Sequence, residues 1–220
     1  MSQNVLKLFW ISLVPLLLLV SSCAPKRVEL PSFQGGDIRA ALTEKRLVTD
    51  IETTFTVAFN KADAEMRGDG ALTITSTGDI DLRIYTLGFL AMELTSRDGV
   101  VKSSPLLDRT KKVLLTEGLR DCIFWWNADN VAIEEEGDMY VLANNSRKIW
   151  IDKKSFLPLR QVVSLEGGKE LTIYYEEPIR ENGRWYQSRV RIEYLSYAVS
   201  LSVKTLVVTP EGATCLYCSL

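Results

Sequence analysis

The chain of 220 residues contains no histidine. That absence removes the commonest general base, the Ser-His and Cys-His nucleophile pairs, and every zinc set that relies on imidazole. Neither a GxSxG elbow nor a phosphate-binding glycine loop is present. Charge of one sign is lacking too: 26 basic residues are interspersed with 28 acidic ones, so no extended field recruits nucleic acid or an anionic surface. From these absences we expect no enzyme, no catalytic residue, no metal, no cofactor and no nucleic-acid partner. Partners should be met through shape and apolar contact.

Only one long apolar run occurs, and it lies at the start. Lys7 precedes an apolar stretch over residues 8–20, too short to span a bilayer comfortably, which favours removal over anchoring. Ser21 and Ser22 are small enough for a peptidase cleft, and Cys23 follows. The pattern Val20-Ser21-Ser22-Cys23 resembles the bacterial lipobox, in which the cysteine is acylated and becomes the first residue of the mature chain. The resemblance implies a signal peptide over residues 1–22 and lipid attachment at Cys23, with palmitate among the acyl chains; two or more chains on one cysteine give stable attachment. In diderm lipoproteins an aspartate after the cysteine commonly marks inner-membrane retention. Ala24 stands there, which points to the outer membrane, on the face towards the periplasm. An ordinary secretory signal with a chance cysteine is the plain alternative.

Cysteine is otherwise scarce. Cys215 and Cys218 can close a small disulfide in an oxidising compartment, leaving Cys122 unpaired and buried, or both can stay free thiols. A redox CxxC belongs at a helix N-terminus after a strand, whereas this pair lies within a few residues of the end.

Residues 23–36 carry two prolines and a Gly-Gly pair without apolar period, as a lipidated tether would. The domain is expected over residues 37–209, with 210–220 as a tail. Asp37 can cap a helix running to about Asp50 with Ile38, Ala41, Leu42 and Val48 on one side. The period then becomes two: Phe55, Val57 and Phe59, then Leu72 and Ile74 beyond a turn expected at 68–70, then Leu82 and Ile84. Arg97-Asp98-Gly99 closes another hairpin. Ser104-Pro105 reads as a helix start, and Leu107, Leu114, Leu115, Leu119, Cys122 and Trp126 keep helical spacing with Gly118 as a break. Adjacent Trp125 and Trp126 would diverge by about 100 degrees on a helix, so at most one is expected to face inward. Glu134–Glu136 and Glu176-Glu177 read as solvated turns. From Asp138 the chain is a meander with turns at Asn144-Asn145, Gly167-Gly168 and Asn182-Gly183, and a phase slip near Leu195 and Ser196.

A helix, a run of hairpins, a central helical block and a long meander describe an α+β fold: a strongly curved antiparallel sheet, a half-open β-barrel, with helices covering its concave face. Leu82 to Leu94, with the apolar turn Leu87-Gly88-Phe89-Leu90, and Ile149–Asp152 through Leu157–Arg160 resemble matching segments of the lipoprotein-localisation proteins of diderm bacteria, the periplasmic carrier LolA and the outer-membrane receptor LolB. The resemblance implies a cavity that shelters acyl chains. It implies further that a lipidated chain is closer to the receptor, taking lipoproteins from a LolA-like carrier and inserting them into the outer membrane. Cavity lining is expected from Leu72, Ile74, Ile173, Tyr175, Val199, Leu201 and Val203, and membrane insertion from Leu87, Gly88, Phe89 and Leu90. The alternative use of the same fold is a structural or assembly lipoprotein that holds a protein or glycolipid partner.

Overall fold

The computed structural model describes residues 30–33, 36–61 and 64–210. The export signal, Cys23, Cys215 and Cys218 lie outside them. Asp37 caps helix α1 (Ile38–Arg46), its Oδ1 accepting from the Arg39 amide at 2.9 Å. The helix buries Leu42 and stops at Arg46, short of the expected Asp50. Val48, Thr49, Ile51, Thr53 and Thr54 explain the early stop, because β-branched side chains favour the pleat, and β1 occupies Val48–Lys61. Along β1, buried Ile51, Thr53, Phe55 and Val57 alternate with exposed Glu52, Thr54 and Thr56.

Strand β2 (Ala64–Thr75) runs straight through Gly68-Asp69-Gly70, where the sequence suggests a turn. These glycines serve close approach instead. Gly70 pairs with Phe55, and a Cβ there would overlap the Phe55 ring, while one on Gly68 would collide with the Tyr85 carbonyl. Three further strands follow by hairpins: β3 (Ile80–Thr86), β4 (Phe89–Arg97) and β5 (Val100–Ser104). Ser104 therefore ends a strand. The helical block is capped by Asp108, whose Oδ1 accepts from the Lys111 amide at 2.9 Å.

That block comprises α2 (Arg109–Val113), a wide π turn (Leu114–Gly118) and α3 (Leu119–Ile123). Gly118 does not break it. A Cβ at Gly118 would sit 3.0 Å from Ile192 Cγ2, so glycine lets the helical segment lie against the sheet. Asp121 is buried and receives Arg147 Nη2 at 2.7 Å, tying α3 to the sheet.

The returning meander is β6 (Ala132–Glu136), β7 (Met139–Ala143), β8 (Arg147–Asp152), β9 (Pro158–Leu165), β10 (Lys169–Glu181), β11 (Arg184–Tyr194) and β12 (Tyr197–Pro210). Glu134, Glu135 and Glu136, expected in a turn, form strand β6, and Glu176-Glu177 lies inside β10. The backbone of β6 is held by pairing with β7, and two of its carboxylates are paired, Glu135 with Lys153 at 2.6 Å and Glu136 with Lys148 at 3.5 Å. An acidic edge also deters further strand addition.

All twelve strands make one curved antiparallel sheet in the order β5-β4-β3-β2-β1-β12-β11-β10-β9-β8-β7-β6, with β5 and β6 as its unclosed edges. The order has a consequence for the helices. Since β5 and β6 are opposite edges, the chain joining them must cross a face of the sheet, and Gly118 against Ile192 and Leu171 marks where it does so. Leu114 and Leu119 there join Ile74, Leu82, Leu94, Leu142, Ile149, Ile173 and Val199 in a filled core.

Candidate functional site: an apolar cavity

Past Ile123 the chain leaves the helix, with Phe124 at φ −98 and ψ 46. Helical divergence no longer applies to the next two residues, and Trp125 and Trp126 both border a cavity of about 610 Å³. That corrects the expectation that at most one would face inward. The volume lies within the range of about 300–1,000 Å³ usual for small-molecule sites.

Three structures make the walls. From the sheet come Ile51 and Phe55 of β1, Val190 of β11, and Leu201, Val203 and Leu206 of β12. The tryptophan segment is pinned to α1 by Arg46, whose Nη2 donates to the Ala128 carbonyl at 2.7 Å and whose Nε donates to that of Trp126 at 3.3 Å. The β8–β9 turn supplies Phe156 and Leu157. Asp152 shapes this turn, accepting from the Ser155 amide at 2.7 Å and its hydroxyl at 2.6 Å. Phe33 stacks on Phe156 with centroids 4.6 Å apart, and Trp125 meets Phe156 edge-on at 6.2 Å. The segment read as tether thus contributes to the wall, a role its lack of apolar period did not reveal.

Of the residues expected to line a cavity, Leu72, Tyr175, Leu201 and Val203 do border it. Ile74, Ile173 and Val199 do not. Each is 0% exposed within the packed core. Alternation assigned all seven to one face of the sheet, but it carries no information on how far along that face the helical segment fills the space.

Polar chemistry in the cavity is limited. The Tyr175 hydroxyl lies 3.1 Å from the Cys122 carbonyl and 3.2 Å from Gln161 Oε1, donating to one of them. Burial pushes its pKa well up, and burial foremost, then the Asp121 charge, does the same to the Cys122 thiol. Neither group is poised as a nucleophile. Among the described residues, no group of three or more Cys, Asp or Glu could hold a metal ion. Most of the lining is hydrocarbon.

The expected apolar turn stands apart from this cavity. Leu87 and Gly88, with φ of 53 and 81, make the two-residue link between Thr86 and Phe89. Leu87 is 93% exposed, Phe89 78% and Leu90 53%. No described helix is long and apolar enough to cross a membrane.

No protein-family model and no curated protein matches the chain in sequence. Solved structures do match. A LolA-superfamily protein from Nitrosomonas europaea is 11% identical and aligns over 78% of this chain and 93% of its own, with a TM-score of 0.52. The chain is similar in fold to this LolA-superfamily protein. A DUF1329-family protein from Desulfovibrio piger is 10% identical over 82% of this chain and 94% of its own, with a TM-score of 0.56. Both likenesses are of fold, at a sequence identity of 11% or less.

Proposed function

We propose that this chain is an outer-membrane lipoprotein, anchored through acylated Cys23 and facing the periplasm, whose cavity shelters acyl chains. Residues 1–22 are its export signal, 23–36 its tether, whose Phe33 joins the cavity wall, 37–209 its binding domain, with β12 running one residue further to Pro210, and the remainder its tail. In this reading the helical segment and α1 lie over the concave side of the sheet, and a LolA-like carrier hands over lipoproteins that the protein inserts into the outer membrane. It acts as a carrier, not a catalyst. The observation that carries the reading is the cavity of about 610 Å³, bounded by Trp125, Trp126, Phe156 and the apolar side chains of β1 and β12. Each methylene moved into such a space gains about 0.8 kcal/mol. Roughly ten of them then match the free energy of micromolar binding before ordering costs are subtracted.

Delivery falls to the β3–β4 turn. Three large apolar side chains exposed at one tip are costly in water and favourable in an acyl boundary. An environment-sensitive apolar dye should bind the folded protein and be displaced by a lipopeptide. Absence of binding, or of competition, would refute the carrier reading and favour a structural lipoprotein with a protein partner.

A further inference from the structure

The cavity is apolar, yet two groups on its wall are cations. Lys45, in the last turn of α1, holds its ammonium 5.5 Å from the ring centroid of Trp125 and 5.4 Å from that of Trp126. Arg184, the first residue of β11, borders the same space. Among the described residues neither lies within ion-pair distance of a carboxylate, whereas Arg83, Arg189, Arg191 and Lys204 on the sheet all do. Glu44 also borders the cavity but stays beyond that distance. Burial holds the Lys45 pKa below the ordinary lysine value; the Glu44 charge opposes this and the Arg184 charge adds to it. A third donor is unanswered: Trp126 Nε1, on a ring beneath Lys45, is buried without a hydrogen-bond partner. The Tyr186 hydroxyl is already committed to Glu181 at 2.6 Å.

Hydrocarbon alone leaves half-buried Lys45 and the buried Trp126 Nε1 unmatched, while Arg184 stays exposed at the rim. Two like charges beside a dry wall gain most from an anion, since charge-assisted hydrogen bonds are the strong ones and low polarity amplifies them. We propose that the cavity takes an anionic amphiphile, its acyl chain along the apolar wall and its carboxylate or phosphate head held by Lys45 and Arg184. Trp126 Nε1 is the neutral third donor. This rests on the acyl-chain reading above and adds a ligand class beside lipoprotein cargo, because a neutral glyceride or amide-linked chain brings no anion to Lys45.

The full chain, in a non-ionic detergent, is titrated with dibrominated stearate, the matching stearyl alcohol and a lysophosphatidate with the same chain, each of which quenches indole emission on contact. Both anions should bind about ten-fold or more tighter than the alcohol. The tighter of the two identifies the head as carboxylate or phosphate. Lys45→Met with Arg184→Met should bring the three probes to similar affinity while the alcohol binds as before, and Lys45→Arg should keep the preference. Equal binding of acid and alcohol to the unaltered protein, or an undiminished preference in the double variant, overturns the proposal. Failure of all three probes to bind sinks the acyl-chain reading itself.

Discussion

One face of the sheet has two ends that differ in what lies on them. At the filled end, Gly118 lies against Leu171 and Ile192, Leu114 and Leu119 are buried in the same core, and side chains such as Ile74, Ile173 and Val199 have no exposure. At the hollow end, two residues further along the same strand, Leu201 and then Val203 border open volume. Both ends are apolar with the same alternation. What separates them is the crossing chain, which is helical down to Ile123 and leaves the helix at Phe124, after which Trp125 and Trp126 border the open volume. A packed end supplies stability, and an unpacked one forgoes packing contacts and keeps room for a ligand.

The largest effect should come from the ion pair that fixes this path. Asp121→Ala strands Arg147, only 13% exposed, without its carboxylate. A loss of about 3–5 kcal/mol is expected on urea unfolding, since a buried charge is left unpaired. A loss below about 1 kcal/mol would mean that the crossing segment is held by apolar packing alone.

Truncation at matched ends tests the contrast itself. Leu119→Ala opens a void under the helical segment and should cost about 2–5 kcal/mol. Val203→Ala enlarges a space that already exists, and about 1 kcal/mol or less is expected. Equal losses would show that the hollow end is packed like the rest.

Cys122 and Tyr175 stand where the two ends meet, and their titration reports whether the cavity is dry. Both have pKa values raised by burial, so both stay protonated in the folded state after their unfolded counterparts ionise. Above about pH 8.5 for the thiol, and about pH 10 for the phenol, the unfolded chain binds fewer protons than the folded one. Stability is therefore full below pH 8.5 and falls as pH rises, by up to about 1.4 kcal/mol per unit for each group. Cys122→Ala should remove the first part of the decline. A thiol that reacts at neutral pH with a small alkylating reagent as fast as an unfolded control would mean that water reaches it.

Much of the architecture was legible because it is written in local chemistry. The turns at Asp98-Gly99, Asn144-Asn145, Gly167-Gly168 and Asn182-Gly183 separate the strands as their residue types require, and alternation identified the buried face of β1, β11 and β12. Two classes of feature were not legible. Glycines placed for contact look like glycines placed for turns: Gly70 makes room for Phe55 and Gly118 for Ile192, partners more than a dozen residues away in sequence. The division of the sheet face was hidden too, since Val199 and Val203 have the same side chain and parity, and only the tertiary path of residues 119–126 tells them apart. Lys45 escaped notice for a related reason: its cavity role needs Trp125 and Trp126 beside it.

The tip extends the comparison to apolar side chains that touch no core at all, and there the effect on stability should be smallest. Leu87 adopts φ of 53 while 93% exposed. Left-handed backbone disfavours a residue with a Cβ by about 1–2 kcal/mol, and no burial compensates here. Asparagine tolerates that conformation better. Leu87→Asn should therefore leave stability unchanged or raise it by up to about 1 kcal/mol, and Phe89→Glu should stay within about 0.5 kcal/mol of the parent. Folding chemistry thus gives no reason for leucine at this place, whereas insertion into an acyl layer does. Both variants should bind dye in the cavity as the parent does and fail to transfer a fluorescent lipopeptide to liposomes. Transfer at the parent rate would release the tip from delivery, and unfolding by either change would show that the turn belongs to the core after all.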